Sequence, residues 1–154
     1  ECNNEGCLWN MGITEWSIMS KPIIDHIGIA TNSIEDATIF WEALGLVAKA
    51  DDVNQEQGVR IRMMKGNSNS PKVELLEPLG PETPVGRFIS KRGEGMQQLA
   101  FSVDDITETI DRLIESGCRM INEEPTNGVD GSLIAFVHPS STGGVLVELV
   151  QHNS

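Results

Sequence analysis

Four polar residues interrupt stretches that otherwise read as apolar strands: His26 in DHIGIA, Glu74 in VELLEP, Gln98 in MQQLAF and Glu148 in VLVEL. Imidazole, carboxylate and amide oxygen are all competent donors to a divalent ion of borderline or hard character. Two carboxylates would neutralise such a dication. Four protein donors would leave two positions of a six-coordinate ion for a substrate that chelates through two oxygens. Taken singly, each residue has a plainer reading. A histidine at a strand start is usually a hydrogen-bonded structural residue, and a glutamate in a strand usually points to solvent because strand faces alternate. Neither reading explains why four such residues should obey one spacing.

That spacing is an internal repeat. DHIGIATNSIEDATIFWEALGL (Asp25–Leu46) aligns with QQLAFSVDDITETIDRLIESGC (Gln97–Cys118) at an offset of 72 residues, which sets His26 on Gln98, Trp41 on Leu113 and Gly45 on Gly117. Each copy predicts a strand and then a helix. Ser33 and Asp105 are the expected N-caps. Ile34, Ala37, Trp41 and Leu44 form one apolar stripe, and Ile106, Ile110, Leu113 and Gly117 the other. Gly45 and Gly117 are the expected left-handed stops. The second halves also match: GVRIRMMKGNSNSPKVELLEP lies over GSLIAFVHPSSTGGVLVELVQ, at an offset of 73 at the glycines and 74 at the glutamates. Both read as strand, polar turn, strand. A further strand is expected near 47–51 and again near 119–123.

The predicted fold class is therefore α+β: two paired βαβββ modules forming a curved, partly open mixed sheet around a cavity, with the helices outside. Module one spans 22–80, a Pro- and Gly-rich linker 81–95, and module two 96–152, all within a single domain of 22–152. Residues 1–21 read as an N-terminal extension foreign to that domain. They show no clear period and lack the basic and apolar regions of a signal peptide. Met19 would make a natural start for the domain, and Trp9 and Trp16 offer surface for packing on the domain or a partner.

Composition narrows the partners. The 154 residues suit one domain with a real core. Lys and Arg number 11 against 23 Asp and Glu, a formal net charge of −12. Such a surface repels nucleic acid and anionic membranes, so neither is an expected partner. No apolar run approaches the roughly 18 residues of a membrane span. The cysteines, Cys2, Cys7 and Cys118, match no zinc spacing and suit a reducing cytoplasm. The run Arg87, Lys91 and Arg92 is either a solvated cluster or a local offset to the negative charge near a pocket.

Four stretches, DHIGIATNSIEDATIFWEALGL, EQGV, VELLEPLGPETPVGRFISKRGEGM and AFVHPSSTGGVLVEL, together resemble the methylmalonyl-CoA epimerase branch of the vicinal oxygen chelate (glyoxalase/bleomycin-resistance) superfamily. The resemblance covers roughly residues 23–151. It implies a glyoxalase-like fold, a divalent metal ion (cobalt, manganese, nickel, zinc or magnesium), an acyl-CoA or related anionic substrate and a homodimer. It also implies proton transfer on a malonyl-type CoA thioester through a metal-stabilised enolate. By the same resemblance His26, Glu74, Gln98 and Glu148 are the metal ligands, and Glu148 is also the catalytic proton carrier. Glu56 falls in a motif region of the branch without an assigned role.

The sequence departs from that pattern at Gln97–Gln98, where the branch carries a His-His pair. A neutral amide oxygen is a poorer donor than imidazole for cobalt, nickel or zinc, so weaker binding or a harder preferred ion is expected. Alternation turns Gln97 toward the other face. Ser140 stands where a lysine is common. A rival expectation is a non-catalytic small-molecule-binding member whose metal site is altered by Gln98. A ring-cleaving dioxygenase needs two histidines and a carboxylate on iron; the remaining histidines, His138 in a predicted turn and His152 near the terminus, do not supply that set.

Overall fold

The computed structural model describes residues 20–154, so the expectations for Cys2, Cys7, Trp9, Trp16 and Met19 lie outside the described residues. Strand β1 (Ile23–Ala30) runs into helix α1 (Ile34–Leu44), followed by short β2 (Val47–Ala48) and β3 (Asp52–Asn54) and the hairpin β4 (Val59–Lys65) and β5 (Lys72–Pro78). Helix α2 (Pro84–Arg92) leads to β6 (Gly95–Ser102), α3 (Ile106–Glu115), short β7 (Thr126–Asn127) and the hairpin β8 (Leu133–Val137) and β9 (Leu146–Gln151). The nine strands form one mixed sheet in the order β2-β4-β5-β1-β6-β9-β8-β7, with β3 paired to β4. The α+β architecture with a repeated strand–helix–strands unit is as expected.

The two halves join where β1 meets β6 antiparallel, and each of these strands pairs in parallel with the last strand of its own half, β5 or β9. Helices α1 and α3 cover one face. Ile34 packs on Met64 and Leu75, while Ile106 and Ile110 pack on Ala135, Val137 and Leu149. The other face is open except at one end, where Val85, Phe88 and Ile89 of α2 close over Ala30, Val59, Ile61 and Leu76.

The repeat reaches the helix ends. Ser33 Oγ accepts from the Asp36 amide at 3.2 Å and Asp105 Oδ1 from the Glu108 amide at 3.0 Å. A second acceptor comes from the sheet. The Ile34 amide donates to Glu77 Oε2, and the Ile106 amide to Gln151 Oε1, each at 2.8 Å. These are repeat-related side chains satisfying repeat-related free amides.

Three local expectations need correction. Leu44, placed on the buried stripe of α1, is 62 % exposed, because the helix ends over the margin of the sheet. The strand expected near 47–51 breaks into β2 and β3. The strand expected near 119–123 reduces to a single bridge between Met120 and Val137. There Asn122 Oδ1 accepts from the Phe136 amide at 3.0 Å, so a side chain replaces a ladder bond. Within the Pro- and Gly-rich linker, Thr83 caps α2 and Pro84 occupies its first turn.

Candidate functional site

His26, Glu74, Gln98 and Glu148 sit on the four central strands, β1, β5, β6 and β9. Gly28 pairs with Glu74 across β1–β5 and with Gln98 across β1–β6, and Ala100 pairs with Glu148 across β6–β9. All four side chains emerge on the open face. They are only 5–7 % exposed, so each polar atom must find a partner inside the protein.

They find one another. His26 Nε2 lies 3.1 Å from Glu148 Oε2 and 3.4 Å from Glu74 Oε2. Gln98 Nε2 donates to the same Glu148 oxygen at 2.8 Å. Gly28 makes room for this: a Cβ there would lie 2.5 Å from Gln98 Cγ. The structure thus brings together the four residues that the repeat singles out.

Behind them stands a group the sequence reading missed. Asp25 Oδ2 is 2.6 Å from His26 Nδ1, and Asp25 Oδ1 is 2.5 Å from His152 Nε2. Lys72 Nζ is 3.7 Å from Asp25 Oδ1. Such a carboxylate behind a histidine fixes the ring and directs Nε2 at the site. A signal was present: Asp25 adjoins His26, and His152 follows Glu148 and Val150 at alternate positions of one strand face.

Burial alone would lower the pKa of the His26 imidazolium. Hydrogen bonds to Asp25 and Glu148, with the charge of Glu74, more than offset it and push the pKa up to about 10. Glu74 is pushed up to about 7 by burial first, aided by the charges of Glu148 and Asp25 against the opposing pull of His26. For Asp25, burial acts upward, but the two histidines hold its carboxyl well below the usual range.

The four residues lie in the wall of a cavity of about 470 Å³. Val59, Ile61 and Met63 line one side and Ile134, Phe136 and Val150 another. Gln97, expected on the opposite face, also reaches this wall. It falls at an irregularity of the β1–β6 ladder, between Gln98, paired to Gly28, and Met96, paired to Ile29. There strict alternation fails. Its buried Oε1 has no hydrogen-bond partner among the described residues. His138 instead caps the turn at 139–141 and bonds Ser140. Glu56 is exposed and outside this wall. Arg87, Lys91 and Arg92 lie on exposed or half-exposed turns of α2 and do not line the cavity. The cations that do line it are Lys49, Lys65 and Lys72, none of which the sequence singled out.

Among the described residues no three His, Cys, Asp or Glu side chains form a ready metal cage. The donor atoms are hydrogen-bonded to one another instead. Their chemistry still fits a divalent ion. Ligands about 2.1 Å from an octahedral ion sit about 3 Å apart on neighbouring vertices, close to the 3.1 and 3.4 Å observed. The orphaned Gln97 oxygen adds an acceptor in the same wall. Gln98 would serve through its amide oxygen, which is related to Nε2 by a half-turn of the amide.

Residues 25–136 match the profile of the Glyoxalase/Bleomycin resistance protein/Dioxygenase superfamily. An uncharacterized protein of Bacillus subtilis, YqjC, is 39% identical over 136 residues, covering 84% of this chain and 96% of that protein. The ethylmalonyl-CoA/methylmalonyl-CoA epimerase of Cereibacter sphaeroides is 33% identical over 131 residues, covering 83% of this chain and 96% of its own. A solved methylmalonyl-CoA epimerase, in complex with methylmalonyl-CoA and NH4+, superposes with a TM-score of 0.83 at 37% identity, covering 88% of this chain and 97% of its own.

Proposed function

Since this chain belongs to the Glyoxalase/Bleomycin resistance protein/Dioxygenase superfamily, we propose that it is an epimerase-like isomerase acting on a short-chain malonyl-type CoA thioester. The observation that carries the reading is the convergence of His26, Glu74, Gln98 and Glu148 on one point of the cavity wall. Relatives named as methylmalonyl-CoA epimerases support the substrate class.

The reaction breaks the C–H bond on the carbon between carboxylate and thioester. The electron pair delocalises toward the two carbonyl groups, and a proton returns on the opposite face. His26 Nε2, the carboxylates of Glu74 and Glu148 and the Gln98 amide oxygen would hold a divalent ion, which supplies positive charge for the substrate oxygens. Glu148 is the proposed base. With no ion held, hydrogen bonds from Gln98 and His26 orient its Oε2; these bonds would give way where the same His26 nitrogen and the turned Gln98 amide hold the ion. Asp25 is a positioning residue, keeping His26 in the tautomer that presents Nε2. The apolar walls exclude water from the proton being moved. Glu56 drops out as the opposite-face carrier, because it is exposed away from the cavity. A cytoplasmic homodimer belongs to the same proposal. No described helix is long and apolar enough to cross a membrane.

The Gln98–Glu148 hydrogen bond also favours a second reading, a binding-only protein whose base is tied up by an amide. Exchange of the substrate C2 proton with deuterated solvent separates the two. The isomerase exchanges it in a metal-dependent way, and the binder does not.

A further inference from the structure

Asp25 and His26 are neighbours in sequence, yet both line the cavity. A regular strand would send them to opposite faces. The β1–β6 ladder accounts for the exception. Ile24 pairs with Phe101 and His26 with Ala100, so two steps along β1 match one step along β6 and Asp25 is the extra residue. An irregularity of this kind re-aims a side chain while the strands continue on either side. Here it sets a carboxylate against one ring nitrogen of His26, whose other nitrogen faces Glu74 and Glu148.

Asp25 is itself held. Its side chain is only 9 % exposed, so both oxygens need partners inside the protein. Oδ2 lies 2.6 Å from His26 Nδ1. Among the described residues Oδ1 has a single hydrogen-bond partner, His152 Nε2, at 2.5 Å. Lys72 Nζ, 3.7 Å from the same oxygen, adds charge but is too distant for a directed bond. His152 directly follows β9, and Glu148, Val150 and His152 are alternate residues that all line the cavity. One strand path therefore meets the His26 ring at both ends. Glu148 stands 3.1 Å from Nε2. His152, about 13 Å further along the strand, reaches Nδ1 through Asp25.

We propose that His152 is a positioning residue for His26. By occupying Asp25 Oδ1 it keeps the carboxylate from turning about its Cβ–Cγ bond, and the fixed Oδ2 in turn fixes the plane of the imidazole. The end of β9, and not only the irregularity in β1, then aims Nε2 at the site. The consequence for an ion rests on the reading of His26, Glu74, Gln98 and Glu148 as its ligands. His152 keeps 49 % of its side chain exposed, so it can be changed without opening a cavity in the core.

The test compares the full chain with His152→Leu, which removes the donor, and His152→Gln, which returns an N–H. In chelated protein carrying heavy nitrogen in its histidines, the Nδ1–H proton of His26 gives a downfield resonance, assigned by its loss in His26→Gln. It broadens or moves upfield in His152→Leu and stays near the parent position in His152→Gln. Calorimetric titration with manganese and with cobalt shows affinity about ten-fold weaker in His152→Leu and within about three-fold of the parent in His152→Gln. A resonance unchanged in His152→Leu, equal loss in both variants, or a metal affinity within two-fold of the parent in His152→Leu overturns the proposal. If the parent binds neither ion, the resonance alone decides. If resonance and affinity both follow His152 while the parent moves no C2 proton, the positioning role stands and the isomerase reading falls.

Discussion

Glu148 is the residue on which the proposed chemistry turns. One oxygen accepts from both His26 and Gln98, which leaves its orientation no freedom. Replacing Glu148 with glutamine removes the proposed proton carrier while keeping volume. The expected loss in C2 exchange is about 10²- to 10⁴-fold, measured with substrate binding checked separately. An exchange rate within a few-fold of the parent would move the base elsewhere. His26 makes a second prediction, for the metal-free protein. Its pKa rises on folding from 6.5 to about 10, so the folded state holds the extra proton between those values. That stabilisation is complete below pH 6.5 and is lost as pH climbs through about 10. Glu74, raised from 4.5 to about 7, acts in the same direction over its lower window. The melting temperature of chelator-treated protein should therefore fall between neutral and alkaline pH, and the alkaline part of that slope should be missing from His26→Gln. An identical slope in parent and variant would contradict the assignment.

At the scale of elements, the close approach of β1 and β6 shapes the site. A methyl on Gly28 would meet Gln98 Cγ at 2.5 Å and Leu76 Cδ1 at 3.0 Å. Gly28→Ala should cost about 1–3 kcal/mol in stability through overpacking. It should also turn Gln98 away from Glu148, lowering C2 exchange about ten-fold or more in protein that still melts cooperatively. Unchanged exchange would show that the Gln98 position is not needed. The repeat made this arrangement legible, because it set polar residues at matched places in matched strands. What it could not show were the departures from ideal geometry. The ladder irregularity at Gln97 changes which way a side chain points without changing composition. Asn122 substitutes a side chain for a backbone bond. Glu77 and Gln151 reach helix ends that are distant in sequence, and no local capping pattern registers such a partner.

At the scale of the molecule, net charge and the charges of the cavity wall are separate matters: Lys49, Lys65 and Lys72 line the cavity of an acidic protein. A net charge of −12 describes the exterior and says little about the field at one point in a cleft. The lysines escaped notice because they lie in three separate segments with no charge run, whereas Arg87, Lys91 and Arg92 form a run and lie outside the cavity. Strand pairing, not sequence adjacency, brings the first set to the cavity wall. The fold itself was readable because two halves of one pattern must pair to close a core that neither could build alone. The central claim is that the four inner-strand residues move a proton on a malonyl-type thioester with the help of a divalent ion. The most direct measurement is deuterium incorporation at C2 of methylmalonyl-CoA in heavy water. It is run on chelated protein, on protein given cobalt, manganese or magnesium, and on Gln98→His under the same conditions. The account predicts exchange that depends on added metal in the parent chain and a shift toward cobalt in the Gln98→His variant. No exchange with any of the three ions, in parent and variant alike, would contradict it.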